Sequence, residues 1–344
     1  MTAKNMIAAT QAFDPALLVR DYGDVEDEVR ACREKAALFD FSFMSVARVS
    51  GPDAVKAISR LTDRDLGDLA EGRIRYALSR NPNGWLRSDL TVWKEATDSF
   101  MVMSGLKHDI TVLEEAARTV DVTVKDLSQT TAVFAVQGPQ SLAVLNDLGL
   151  GGGLGDLPYF GFWRFEMAGV PCFIGRLGYT GERGFEIVFP ESPAPSLWAR
   201  LSGRARPGGF AAADCLRIEA GFVLFSNEFR LPVRAEEAGL GRFADDDARP
   251  ARYRLVCFKA ESLEPPVLWS PPEILAAPEA GAITVTSACH SALAGGVLGL
   301  GYVLAAEPIG DGKLTDPSGR FSNITEVPRP FYDPSKERPR GDWR

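Results

Sequence analysis

The stretch from Arg75 to Ser104 constrains the fold more than any other, because it reads as three consecutive strands. Runs at Arg75–Arg80, Trp85–Lys94 and Ser99–Ser104 are separated by Asn81-Pro82-Asn83-Gly84 and Ala96-Thr97-Asp98. Turn residues between alternating runs make an antiparallel meander, and a meander must bury one face against a second layer. Along the middle run, alternation puts Trp85, Arg87, Asp89, Thr91 and Trp93 on one face and Leu86, Ser88, Leu90 and Val92 on the other. Asp89 is therefore a carboxylate framed by two tryptophans. Pattern alone leaves it either a surface partner of Arg87 or part of a site.

The segments around the meander supply helices. Asp24 can cap a helix from Val25 to Leu38, with Val25, Val29, Cys32 and Ala36 as its apolar stripe. A strand from Phe41 to Ser50 follows, then Gly51-Pro52 and a helix carrying Val55, Ile58 and Leu61. The same grammar recurs from Thr131 to Leu145, where the strand AVFAVQ meets Gly138-Pro139 and a helix with Leu142 and Leu145. Duplication and coincidence both remain open from one recurrence. Beyond it come a hairpin from Tyr159 to Arg176 turning at Ala168-Gly169, a strand from Gly184 to Phe189, and helices at Ser196–Leu201 and Ala211–Ala220, the last closed by Gly221. From about Arg249 the texture becomes β-rich: Tyr253–Lys259, Gly281–Ser287, Gly296–Ala305 and Arg320–Val327 predict a small all-β domain, followed by a polar tail over the last dozen residues.

Several function classes lose support. The chain has 344 residues, which suggests two or three domains, and a formal net charge of -8 offers no overall cationic surface for a phosphate backbone. Nucleic acid is not an expected partner, although a local basic pocket for an anionic cofactor tail remains compatible with that balance. No stretch approaches 18 uninterrupted apolar residues and the N-terminus lacks an apolar leader core, so no membrane span is expected and the cytoplasm is the expected location. The cysteines Cys32, Cys172, Cys215, Cys257 and Cys289 form no CxxC pair, and His108 and His290 stand apart. That argues for buried thiols and against a disulfide framework, a metal site or a histidine-based triad. Gly149 and Gly151–Gly153 with Gly155 miss the GxGxxG register, and no P-loop occurs.

Seven segments in order carry a family resemblance: ALFDFS at Ala37–Ser42, VSGPDA at Val49–Ala54, RYAL…NGWLRSDLTVW at Arg75–Trp93, VQGPQS at Val136–Ser141, GRLGYTGERGFEI at Gly175–Ile187, ADCLRIEAG at Ala213–Gly221, and PRPFYDP near the end. The chain resembles the glycine-cleavage T-protein family, which includes aminomethyltransferases and folate-dependent demethylases. GYTGERGFE is the most specific piece, and it departs from the related iron–sulfur maintenance branch.

The resemblance implies an α+β, three-domain cloverleaf with a central folate hole and an all-β C-terminal domain. The expected division is 1–48 with 130–240 (ferredoxin-like halves), 49–129 carrying the meander, a β-barrel-like 241–332, and a tail at 333–344. By matching positions, Asp89 is the catalytic acidic residue beside the reactive nitrogens of tetrahydrofolate, Tyr76 and Tyr179 flank the pterin, Ser104 stands where an asparagine commonly touches it, and Glu186 meets its amino-pyrimidine edge. A carboxylate facing paired N–H groups gives charge-assisted recognition, and tyrosine rings make flat walls. A carboxylate near a nucleophilic nitrogen can accept a proton or stabilise developing positive charge.

Departures accompany these matches. Ser88-Asp89 keeps only the second of the family's paired acids, Ala213 replaces the arginine before Asp214, Phe43 stands where aminomethyltransferases have histidine, and Gly241–Arg252 is short. Two readings result. One is a tetrahydrofolate-dependent transferase acting on a small-molecule or lipoyl-carrier-bound one-carbon donor. The other is a non-catalytic folate-binding subunit that captures one-carbon units from a neighbouring enzyme.

Overall fold

The structure, a computed structural model, describes residues 15–167, 169–244, 249–262, 268–273, 275–306, 308 and 313–341. Ala168 of the expected turn, residues 245–248 of the short segment and both extreme termini lie outside the described residues. The strands in chain order are β1 (Ala37–Asp40), β2 (Ser45–Ser50), β3 (Ile74–Arg80), β4 (Leu86–Ala96), β5 (Ser99–Ser104), β6 (Thr123–Asp126), β7 (Thr131–Gln137), β8 (Phe162–Met167), β9 (Val170–Gly175), β10 (Gly184–Pro190), β11 (Arg206–Gly208), β12 (Tyr253–Ser262), β13 (Thr284–Ser291), β14 (Gly296–Leu304) and β15 (Phe321–Val327). The helices are α1 (Val25–Glu34), α2 (Ala54–Ile58), α3 (Lys107–Ala116), α4 (Ser141–Asp147), α5 (Ala194–Ser202) and α6 (Phe210–Glu219), with short turns at Phe225–Glu228 and Glu337–Arg340.

Three sheets form. The first has the order β11-β1-β7-β10-β9-β8, the second β3-β4-β5-β2-β6 and the third β13-β14-β12-β15. All pairings are antiparallel except β1 with β11. The meander thus forms as the turn chemistry predicts, and the C-terminal sheet is all-β.

Each sheet buries one face locally. Leu38, Phe134, Val136, Phe185 and Ile187 of the first sheet pack with Leu145 and Leu197 from α4 and α5, while Val49, Leu90, Val92 and Phe100 of the second pack with Ile58, Ile110 and Leu113 from α2 and α3. The opposite faces meet in a shared core that includes Phe39 and Val133 from the first sheet, Ile74, Trp93 and Met101 from the second, and Leu255, Leu298 and Tyr302 from the third. Burial of apolar area from all three sheets in one cluster holds them together.

Two local expectations change. The helix expected to reach Leu38 ends at Glu34, because Ala37–Asp40 pairs with β7 on one side and β11 on the other. Asp24 does cap its start, accepting from the N–H groups of Glu26 and Asp27. The strand expected from Phe41 to Ser50 is broken: Asp40 Oδ1 accepts from the Ser42 N–H, the Phe41 carbonyl accepts from the Met44 N–H, and the chain passes from the first sheet to the second. All of β2 lies in the second sheet, across the expected division at 48/49.

The two strand–Gly-Pro–helix units share a backbone shape as well as a sequence. Gly51 and Gly138 adopt φ of 133° and 122°, and a Cβ at either would collide with backbone of a neighbouring segment. No helix is long and apolar enough to cross a membrane among the described residues.

Candidate functional site

A cavity of about 810 Å³ opens where the meander meets the loops of the first sheet and the C-terminal segment. That volume lies within the usual range for small-molecule sites. β3 and β4 contribute Tyr76 and Asp89 to its wall, the GYTG loop contributes Tyr179, and Tyr159, Phe222 and Phe243 add further aromatic surface.

Tyr76 and Asp89 are joined. Tyr76 pairs with Thr91 and Leu78 with Asp89, so the two side chains lie diagonally across adjacent strands. The Tyr76 hydroxyl donates to Asp89 Oδ2 at 3.0 Å. Burial pushes the Asp89 carboxyl up to about 6, with the Tyr76 hydrogen bond pulling the other way and the charges of Asp109 and Glu228 adding to the rise. A carboxyl poised there is mostly ionised at neutral pH yet can hold a proton at modest cost. Tyr76 itself is held well above its usual range, first by burial and then by the Asp89 charge, so it remains a donor.

The Arg87–Asp89 surface pair that the strand pattern left open does not form. Arg87 reaches Ser79 and the carboxylate of Asp109 at 3.2 Å. Asp109 is fully buried, where a cation is worth more than at an exposed position. The framing tryptophans are also engaged: Trp93 packs against Phe162, and Trp85 lies under the guanidinium of Arg252.

The GYTGERG loop is held from behind. The Gln137 amide of β7 donates to the carbonyls of Leu177 and Phe185 and accepts from the Thr180 hydroxyl, all fully buried or nearly so. Arg33 pairs with Glu182 at 3.6 Å and Glu219 at 2.6 Å and donates to the Thr180 carbonyl. Tyr179 donates its hydroxyl to the Val223 carbonyl and stacks near Phe222, so its ring stands fixed in the cavity wall. The Gln-Gly-Pro and Gly-Glu-Arg motifs therefore act through the position of Tyr179.

Glu186 and Ser104 do not line the cavity. Glu186 pairs with Gly175 and Ala135 and so shares the inner face of the first sheet with Phe39 and Val188. Burial pushes its carboxyl up to about 7, and no hydrogen bond or ion pair among the described residues offsets that. Its charge acts on Tyr159, which does line the cavity. Ser104 is fully buried, donates to Asp109 Oδ2 at 2.6 Å and accepts from the Leu106 N–H. The position expected to touch a pterin is committed to holding the end of β5 instead.

Sequence reasoning missed the far wall. Arg329, Tyr332, Lys336 and Arg340, three of them cations, come from the segment expected as a tail and its approach, and Arg242 comes from the short segment before β12. Lys336 is pulled down to about 8 by burial and then by Arg242, Arg329 and Arg340. The PRPFYDP motif was a signal for this wall, but nothing in its composition says that it turns inward.

The fold and this cavity define an α+β protein with a cavity between its sheets, walled by aromatic rings and entered by a perturbed carboxyl. Residues 6–247 match the family model described as the GCVT N-terminal domain. The chain belongs to the glycine-cleavage T-protein family. It is 33% identical over 227 residues to the aminomethyltransferase of Thermotoga maritima, a match covering 64% of this chain and 62% of that protein. It is 36% identical over 241 residues to the aminomethyltransferase of Corynebacterium aurimucosum, covering 67% and 65%. In both cases the match spans just under two thirds of the relative's length. A probable aminomethyltransferase of Halobacterium salinarum is 32% identical over 308 residues, covering 83% of this chain and 84% of that one. The crystal structure of the glycine cleavage system aminomethyltransferase T from Bartonella henselae superposes with a TM-score of 0.78 at 28% identity, covering 90% of each chain.

Proposed function

We propose that the chain transfers a one-carbon unit to tetrahydrofolate held in this cavity, with Asp89 as the catalytic carboxylate. The observation that carries this reading is the Asp89 carboxyl, lifted to about 6 and aimed by the Tyr76 hydroxyl within an aromatic-walled chamber. The wall residues fit such a ligand: Tyr76, Tyr179 and Phe243 offer rings for a flat heterocycle, and the cations of the C-terminal segment suit its carboxylate end. When bound, tetrahydrofolate supplies the nitrogen that receives the carbon. Asp89 accepts or stabilises the proton or positive charge that appears beside it, and Tyr76 keeps Oδ2 oriented. Glu186, desolvated and without a hydrogen bond or ion pair among the described residues, stands behind the cavity wall at Tyr159, and it would accept from N–H groups of a ligand edge that reaches past that wall to the first sheet.

Aminomethyl transfer from a lipoyl-type carrier is favoured by the names of the relatives. Demethylation of an N-, O- or S-methyl compound fits the same carboxylate and walls. The alternative of a non-catalytic folate-binding subunit rested on Ala213 and Ser104. It loses weight because Ser104 sits apart from the cavity while Arg329 brings a cation into it.

Titration with tetrahydrofolate tests the premise. A ligand specific to the native state stabilises by RT ln(1 + [L]/Kd), about 2.7 kcal/mol at a hundredfold excess over Kd. An unchanged melting temperature at millimolar tetrahydrofolate would overturn the reading.

A further inference from the structure

Arg329 is a cavity cation that makes no ion pair among the described residues. Its Nε donates to the Gly221 carbonyl at 3.1 Å and its Nη1 to the Ala238 carbonyl at 3.0 Å, while Nη2 carries no hydrogen bond among the described residues. The side chain lies against bare backbone at two left-handed glycines, Gly221 and Gly239, with φ of 69° and 68°. A Cβ at Gly239 would stand 2.6 Å from Nη1, and one at Gly221 would stand 2.9 Å from Cγ. Beyond it the chain is clamped, because the Tyr332 N–H donates to the Glu219 carbonyl at 2.7 Å and the Tyr332 hydroxyl donates to Glu182. The position is thus built, and two carbonyls aim the remaining edge of the guanidinium.

Burial lowers the Arg329 pKa, and the charge of Arg329 is felt by Tyr76, the residue bonded to Asp89. Arg242, Lys336 and Arg340 line the same cavity, and none of the three makes an ion pair among the described residues. A desolvated guanidinium without a counter-ion costs stability, and a free planar edge matches a carboxylate. We propose that Arg329 is the carboxylate-binding residue of this cavity, receiving the carboxylate of an amino-acid-type one-carbon donor or the glutamyl end of the folate. The second source rests on the folate reading above.

Paired probes separate the sources. Tetrahydrofolate and tetrahydropterin share a ring, and only the first carries the p-aminobenzoylglutamate tail with its carboxylates, whereas sarcosine and dimethylamine differ by one carboxylate at the amine. Affinities are measured for all four on the wild-type protein, Arg329→Gln and Arg329→Lys, with unliganded melting curves alongside. Arg329→Gln should weaken at least one carboxylate-bearing probe by about 10- to 100-fold, the usual scale for a charge-assisted hydrogen bond, and its partner less than about twofold. Loss confined to tetrahydrofolate assigns the folate tail, and loss confined to sarcosine assigns the donor. Arg329→Lys keeps the charge without the fork and should recover part of the difference; it carries the test if Arg329→Gln does not fold. Equal weakening within both pairs, no weakening in either, or no preference of the wild-type protein for a carboxylate overturns the proposal. Failure of the folate reading shows separately, as wild-type protein that binds neither pterin; the amine pair then decides on Arg329 alone.

Discussion

The Tyr76 hydroxyl donates to Asp89 Oδ2 at 3.0 Å from the neighbouring strand, one diagonal away in the register. That bond lowers the Asp89 pKa against the larger effect of burial. Tyr76→Phe removes the donor and leaves burial unopposed, so the carboxyl should titrate above about 6. If ionised Asp89 does the work, the acid limb of the single-turnover rate moves upward by about one pH unit, the equivalent of roughly 1.4 kcal/mol. An acid limb in the same place would separate Tyr76 from the chemistry.

Asp89→Asn keeps shape and removes both charge and base. Turnover should fall by roughly 10²–10⁴ while folate affinity changes little, the pattern of an interaction made mainly in the transition state. Stability moves the opposite way. The folded pKa of Asp89 is about 6 against an ordinary 3.8, so its favourable contribution is present below 3.8 and lost as pH rises through 6. Asparagine carries no such loss, and the variant should gain up to roughly 2–3 kcal/mol on wild type at pH 8 relative to pH 4. Urea melts at the two pH values check this, and a variant that is slower without being more stable at pH 8 would mean Asp89 is not desolvated.

Glu186 is raised from 4.5 to about 7 by burial. A ligand edge that donates N–H groups to it prefers the ionised form, so tetrahydrofolate affinity should fall as pH drops below about 7. Glu186→Gln presents a donor to a donor and should cost about 1–3 kcal/mol of binding at pH 8 while flattening that part of the pH dependence. Calorimetric titrations from pH 6 to 8.5 on both proteins are the measurement. Matching pH profiles would make Glu186 structural.

Local chemistry carried much of this reading. Turn residues around β3, β4 and β5 fixed the meander, the repeated Gly-Pro marked two chain reversals, and Asp24 marked a helix start that the structure retains. What escaped depends on partners distant in sequence. Phe41 to Met44 alternates like a strand, yet a hydrogen bond from the Ser42 N–H to Asp40 turns it between sheets. Ser104 sits where a family match expects a ligand contact, but Asp109, five residues on, claims its hydroxyl. Lys336 and Arg340 read as part of a polar tail because charge and proline are all their sequence offers, and Arg329 stood only in the PRPFYDP motif; the Tyr332 bonds to Glu182 and Glu219 that fold this segment inward come from remote segments.

A buried charge cluster ties α6 to the third sheet, and its removal gives a prediction independent of ligand. Arg217 of α6 pairs with Asp214 at 2.8 Å and Glu228 at 2.9 Å, and donates to the Phe222 carbonyl and to Ser287 Oγ on β13. All three charged side chains are at most 3% exposed, so none is screened by water. Burial raises the Asp214 pKa and Arg217 is the largest influence lowering it. Arg217→Met fills the volume but leaves two buried carboxylates without the cation they share, which should cost about 3–5 kcal/mol. The sign of the pH dependence follows from Asp214: with a raised folded pKa, its carboxyl is tolerated in the protonated form and penalised as pH rises through that pKa. The deficit should therefore be larger at pH 8 than at pH 5. Arg217→Lys keeps a charge but cannot reach both carboxylates with one planar fork, and should fall between. Because the Tyr179 hydroxyl is tied to the Val223 carbonyl, one residue past the Phe222 carbonyl that Arg217 holds, the Met variant should also loosen the cavity wall and weaken tetrahydrofolate beyond its effect at equal native fraction. Urea denaturation at both pH values measures the first effect and titration of the folded fraction the second; stability within about 1 kcal/mol of wild type at pH 8 would mean that water or a shifted proton already compensates the two carboxylates.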